Sequence, residues 1–227
     1  MKKIIVTGSR GYLGKVIVEY FLDQKDVQIL ELDIQLGHDL CDEHFVKQYF
    51  SENEADYLVN LFALNDHVDS IKSSSSSSFD ISLDSLKDYL DVNVSALFSV
   101  CREFARQNSK GGIINFSSIY GLVSPRNDMY SGTEKHIGYG ISKAAVIQLT
   151  RHLAVHLAPN IRVNCIAPGG VEKDQNVDFL QLYAENSPMQ RMMRPEELVG
   201  LVSYLCSEDS TYMTGSILSL DGGWTSW

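Results

Sequence analysis

Lys3-Ile4-Ile5-Val6-Thr7-Gly8-Ser9-Arg10-Gly11-Tyr12-Leu13-Gly14 is a short β-branched run that breaks into a glycine turn, and helical periodicity follows at once through Val16, Ile17, Tyr20 and Phe21. Strand, glycine turn and helix in that order bring backbone N–H groups and a helix N-terminus against a pyrophosphate. A second apolar run, Val27 to Leu32, ends in Asp33, 19 residues beyond Gly14. That is close to the spacing at which a dinucleotide-binding unit carries the acid for its ribose. Turn and acid together predict an α/β chain that binds a dinucleotide.

Outward from this stretch the alternation continues. A helix is expected from Glu43 to Phe50, a strand from Tyr57 to Phe62, and a long helix from Leu83 or Asp84 to Ala105. Strands follow at Gly112 to Phe116, Ile161 to Ala167 and Ser216 to Leu220, with helices opening at Tyr139 and at Pro195. The pattern predicts a doubly wound Rossmann fold, with a mostly parallel central sheet flanked by helices, in one domain spanning 1–227. Ser73 to Ser78, all serine, reads as a flexible surface loop, and Val171 to Met193, weakly periodic and polar, as a mobile lid. Asn93 inside the long helix requires either exposure or a specific polar partner, because its amide is costly to bury unpaired.

Composition narrows the function. With 19 basic and 29 acidic residues the formal charge is -10, which repels a phosphate backbone, so nucleic acid is not an expected partner. Cys41, Cys101, Cys165 and Cys206 form no metal-ligand spacing and read as buried thiols of a reducing compartment; no metal is expected. The apolar run after Met1-Lys2-Lys3 ends too early for a signal peptide, and no run approaches a membrane span. The expectation is a cytoplasmic protein.

Tyr139-Gly-Ile-Ser-Lys143 carries the chemistry. On a helix the i, i+4 spacing sets both side chains on one face. An ammonium beside a phenol stabilises the phenolate and lowers a pKa of about 10, which makes the tyrosine usable as acid or base. Ser117 and Ser118 lie just past a strand's carboxyl end, where open parallel sheets bind ligands.

Together these residues resemble the short-chain dehydrogenase/reductase family, in its short single-domain branch. The resemblance is carried by Thr7-Gly8-Ser9-Arg10-Gly11-Tyr12-Leu13-Gly14, Asp39-Leu40, Asp91-Val92-Asn93-Val94, Ile113-Ile114-Asn115-Phe116-Ser117-Ser118, Tyr139-Gly-Ile-Ser-Lys143, Arg162-Val163-Asn164-Cys165-Ile166-Ala167-Pro168-Gly169, Tyr212-Met213-Thr214-Gly215 and Asp221-Gly222-Gly223-Trp224. It implies that Tyr139 exchanges the substrate proton, Ser118 polarises the substrate oxygen, Lys143 lowers the tyrosine pKa while holding the nicotinamide ribose, and Asn93 anchors a water linking Lys143 to solvent. It further implies cofactor contacts at Gly8, Arg10, Gly11, Leu13, Gly14, Asp33, Asp39, Leu40, Asn60, Pro168, Gly169 and Val171, shared with Tyr139 and Lys143.

Departures from the family pattern are informative. The glycines fall as GxxGxxG, the motif after the third strand of this chain reads Asn60-Leu61-Phe62-Ala63 and keeps only its first residue, and Lys173 replaces a common threonine. Ser118 and Tyr139 are 21 positions apart, so Leu122 to His136 reads as an insertion beside the substrate. The glycine spacing, that loop, Pro168-Gly169-Gly170-Val171 and Trp224 are similar to oxidoreductases found with flagellin-modification and surface-polysaccharide genes.

The expected function is NAD(P)-dependent interconversion of a secondary alcohol and a ketone on a sugar or nucleotide-sugar of bacterial surface-glycan biosynthesis. The alternatives are reduction of a 3-oxoacyl thioester and non-catalytic dinucleotide sensing. Arg10 points to NADP and Asp33 to NAD; Asp33 weighs more, because its carboxylate would lie about 4 Å from a 2′-phosphate, a repulsion of roughly 4 kcal/mol at a dielectric near 20. Polar residues such as Arg126, Asp128, Glu134 and Lys173, with few large apolar groups, predict a hydroxylated substrate. A homodimer or homotetramer is expected, packed through the helices bearing Asn93 and Tyr139.

Overall fold

A computed structural model describes residues 1–65, 77–130 and 134–227. Most of the serine run and residues 131–133 of the long loop lie outside the described residues. Six strands form one sheet: β1 (Lys2–Thr7), β2 (Val27–Leu32), β3 (Tyr57–Asn60), β4 (Gly111–Phe116), β5 (Ile161–Pro168) and β6 (Ile217–Leu220). Their order is β2-β1-β3-β4-β5-β6, and every neighbouring pair is parallel. The chain therefore reverses its winding between β1 and β3, and it is outside the carboxyl ends of strands at such a switch that ligands bind.

Both faces of the sheet are covered, so the strands read as continuous apolar runs rather than alternating ones. On one face Ile5, Leu58, Ile113 and Val163 pack with Phe50 of α2 (Glu43–Glu52) and with Phe104 and Val146. On the other Ile4, Val6, Val59, Ile114 and Ile166 meet Ile17 and Phe21 of α1 (Tyr12–Leu22) and Val202 and Leu205. Successive residues of one strand thus fill two different cores.

The long helix expected from 83 to 105 is interrupted. It comprises α3 (Leu83–Leu90), a π-helical segment (Asp91–Ala96) and α4 (Leu97–Gln107). The wider turn coincides with Asn93, whose side chain is turned inward to the polar partners that its position requires. α5 (Ile137–Leu157) carries Tyr139 and Lys143, and α7 (Val199–Leu205) extends a 3-10 turn at Pro195–Leu198.

Two expectations are corrected. The segment read as an irregular lid contains α6 (Val177–Glu185), capped by Asn176, whose Oδ1 accepts from Phe179 N at 2.8 Å. Its Phe179 and Tyr183 are one helical turn apart, and both are buried with Ile119, Met129, Tyr130, Met192 and Trp224. Of the four cysteines read as buried, Cys41 is exposed: it sits in the polar turn before α2, where Leu40 takes the inward position. Among the described residues no group of His, Cys, Asp and Glu is disposed to hold a metal, and no helix is long and apolar enough to cross a membrane.

Candidate active site

The cleft opens where β1 ends. Gly8 adopts φ +68°, and a Cβ there would lie 2.5 Å from Phe62 N; a Cβ on Gly14 would lie 2.1 Å from Gly8 O. Only glycine permits this tight approach of turn, helix and β3 loop. α1 starts with Gly11 as its N-cap, no side-chain cap and no acid in its first turn, which leaves the positive end of the helix open to an anion.

Asp33 is buried beside the turn. Its Oδ2 accepts from Arg10 N at 2.8 Å and its Oδ1 from Gln35 N at 2.8 Å. The Arg10 guanidinium does not lie free but pairs with Glu31 at 3.0 Å. The cradle, the bare helix terminus and the adjoining acid fit the pyrophosphate and ribose of a dinucleotide.

At the other end of the same cleft stand Ser118, Tyr139 and Lys143, with Gly8, Gly11, Leu13, Gly14, Pro168, Gly169 and Val171 along it. Ser117 Oγ donates to the Lys143 carbonyl at 2.7 Å and fastens the end of β4 to α5. Burial pushes the Tyr139 phenol up to about 12, opposed by a hydrogen bond with Ser118. Burial pulls Lys143 down to about 8, and its Nζ donates to the Phe116 carbonyl at 2.9 Å. The phenol is thus raised rather than lowered in this arrangement. The Lys143 Nζ is 5.8 Å from the Tyr139 ring centre, and desolvation governs the phenol.

Other expected residues go elsewhere. Asn93 Oδ1 accepts from Leu64 N at 2.7 Å, and its Nδ2 donates to Leu64 O at 3.1 Å and to Ser142 Oγ at 2.9 Å, so it joins the loop after β3 to α5. Asn60 is not brought into the cleft. It accepts from Thr7 Oγ1 at 3.1 Å and donates to Asn115 Oδ1 at 2.9 Å, a buried polar chain that continues from Asn115 to Thr150 at 3.1 Å. Asp39 is exposed and accepts from Cys41 N at 2.9 Å, while Leu40 belongs to the core.

The substrate end carries residues that sequence reasoning passed over. Tyr120, Tyr130, Phe179, Tyr183 and Met192 line it, contrary to the expectation of few large apolar groups in these loops. The Tyr120 and Tyr130 hydroxyls bond each other, and Tyr183 Oη accepts from Gly170 N at 2.7 Å. Burial raises the Tyr183 phenol to about 12 and drives that of Tyr130 up as well. Lys135, only 8% exposed, donates to Asn65 Oδ1 at 2.6 Å, with its Nζ 4.6 Å from the centre of the Tyr139 ring. The i, i+4 pair Phe179 and Tyr183 after Asn176 was a legible signal for the helix; Lys135 was legible only as one of the polar residues of the loop expected beside the substrate.

Against known proteins, a family model described as enoyl-(acyl carrier protein) reductase matches residues 14–225. The chain is 29% identical over 233 residues to 3-oxoacyl-(acyl-carrier-protein) reductase of Aquifex aeolicus, covering 97% of this chain and 86% of that protein. It is 28% identical over 251 residues to post-translational flagellin modification protein A of Campylobacter coli, covering 98% of each. Among solved structures, a short-chain dehydrogenase of Leptospira borgpetersenii with bound NAD+ aligns at TM-score 0.86 and 30% identity, over 99% of this chain and 92% of that one.

Proposed function

Because the chain belongs to the short-chain dehydrogenase/reductase family, we propose that it interconverts a secondary alcohol and a ketone with NAD, on a sugar or nucleotide-sugar of bacterial surface-glycan biosynthesis in the cytoplasm. The observation that carries this reading is the meeting of Ser118, Tyr139 and Lys143 in the cleft that the glycine turn opens. The dinucleotide, when bound, takes up or supplies the hydride. Everything else falls to the chain.

In alcohol oxidation Tyr139 Oη takes the hydroxyl proton as the carbon gives up its hydride, and in reduction it returns the proton to the oxygen. Ser118, beside Tyr139 in the cleft, donates to the substrate oxygen and stabilises charge developing there. Lys143 holds the ribose and, released from Phe116 O, relays the proton. Gly8, Gly11, Leu13, Gly14 and the N-terminus of α1 hold the pyrophosphate, with Pro168, Gly169 and Val171 on the facing wall.

NAD is favoured over NADP by Asp33 at the turn and by Glu31, which engages the one guanidinium near it. The hydroxyls of Tyr120, Tyr130 and Tyr183 and the amide of Asn65 supply partners for a hydroxylated substrate, and the similarity to a flagellin modification protein supports the glycan setting. A 3-oxoacyl thioester is the second reading, favoured by the apolar wall of Phe179 and Met192 and by the Aquifex relative. Pure dinucleotide sensing is disfavoured, since Ser118, Tyr139 and Lys143 are all kept. The chain is read as a homodimer or homotetramer.

The deciding experiment is turnover of nucleotide sugars and polyols against 3-oxoacyl thioesters, with NADH and NADPH. Faster turnover of a thioester than of any sugar derivative overturns the substrate reading.

A further inference from the structure

We propose that Lys135 is a second cation acting on Tyr139, a positioning residue that favours the phenolate through the face of the ring. The inference rests on the reading of Tyr139 as the acid/base and extends it. Lys135 precedes α5 and approaches the ring from the loop, whereas Lys143 approaches along the helix. The Lys135 Nζ is 4.6 Å from the ring centre against 5.8 Å for Lys143, whose ammonium is engaged by Phe116 O at 2.9 Å. Asn65, from the loop after β3, steers the Lys135 ammonium through its 2.6 Å bond.

A cation over an aromatic face is attracted by the ring's electron density, and the attraction strengthens when that ring carries the charge of a phenolate. Lys135 therefore favours the deprotonated form of Tyr139. Other groups face Tyr139 from each element packed on it. Tyr120, in the turn after β4, opposes its ionisation; Ser118 favours it. Tyr130 is itself raised in part by Tyr139. His136 caps α5 and stacks on Tyr89 of α3 with ring centres 4.3 Å apart. Among the described residues, Lys135 and Lys143 are the lysines set against this ring.

The test is the pH dependence of kcat for alcohol oxidation in Lys135→Met and Lys135→Arg, with NADH binding and the melting temperature as controls on folding. Lys135→Met is expected to move the ascending limb upward by about one pH unit or more, a tenfold effect at fixed pH, with NADH affinity unchanged. Lys135→Arg is expected to hold the limb in place. An unmoved limb in Lys135→Met with a raised KM overturns the inference and makes Lys135 a substrate contact only. An unmoved limb with a uniform fall in kcat overturns it too. Tyr139→Phe separates the two failures: turnover retained there overturns the acid/base reading and this inference together, whereas turnover lost there with an unmoved limb in Lys135→Met overturns the inference alone.

Discussion

Tyr139 is buried with its phenol pushed up to about 12, so it carries its proton at neutral pH. Replacing it with Phe removes the exchangeable proton and almost no volume. Tyr139→Phe is expected to lower turnover by about a hundred- to ten-thousandfold with NADH affinity intact; more than about a tenth of the activity remaining would rule out the assignment. Asp33 presents one carboxylate held by two backbone N–H groups beside the glycine turn. Asp33→Ser removes the like charge and is expected to raise the NADP-to-NAD ratio of kcat/KM at least tenfold, about 1.4 kcal/mol. An unchanged ratio would mean that Asp33 does not face the 2′ position. At this scale the glycine turn was legible from the strand before it and the acid 19 residues after Gly14, and the pair Tyr139 and Lys143 from the motifs that accompany it. Asn60 was not: whether an Asn at a strand end faces ligand or core depends on Thr7 and Asn115, which only the folded sheet brings beside it.

At the level of elements, the π segment is the joint on which the site depends. Asn93 is 2% exposed and bonds the β3 loop and α5 together through both ends of its amide. Asn93→Ala leaves Leu64 N and O and Ser142 Oγ without this partner, so a loss of about 1–3 kcal/mol in urea denaturation is expected, along with reduced kcat. A variant of wild-type stability would show that the amide is dispensable. The sequence could not reveal the π turn, since Asp91 to Ala96 carries the same residue types as an ordinary helix and the widening answers a tertiary demand. α6 was hidden for a different reason. Only Phe179 and Tyr183 are fully buried, while the apolar Val177 is exposed and Leu180 and Leu182 are half-buried, so apolar residues do not mark a single face. The β-strands were easy because burial on both faces leaves continuous apolar runs.

For the whole molecule, α5 keeps Ile137 and Ile141 each 45% exposed and Val155 83% exposed, and α4 exposes Phe98. These apolar groups on the helices flanking one face of the sheet are expected to be covered in a homodimer or homotetramer, and light scattering at micromolar concentration should exceed the 25.4 kDa of one chain. A monomer mass would refute it. Alkaline stability has a definite sign. Cys101, Cys165 and Cys206 are raised by burial from 9.0 to about 12, 11 and 12. Above about pH 9 the unfolded chain ionises these thiols while the folded one does not, so the unfolded state holds fewer protons and stability falls. Lys143, lowered from 10.5 to about 8, acts oppositely between those values, but it is one group against the three thiols and against the buried phenols of Tyr130, Tyr139 and Tyr183, which are raised as the thiols are. The urea midpoint should therefore be lower at pH 10.5 than at pH 8; an equal or higher midpoint would show that these thiols and phenols are accessible.

The stacking of Trp224 on Tyr183, with ring centres 4.5 Å apart, has an optical consequence. Of the two tryptophans, Trp224 is 6% exposed against the wall of the cleft, and Trp227 is 79% exposed. Trp227→Phe would leave a single indole stacked behind Tyr183 of the cleft wall, and its emission is expected to shift when the substrate end is filled; unchanged emission at saturating ligand would show that the stack does not sense the cleft. A screen for the unknown substrate can then be read as a shift in colour, and it works equally well on a variant with no catalytic activity.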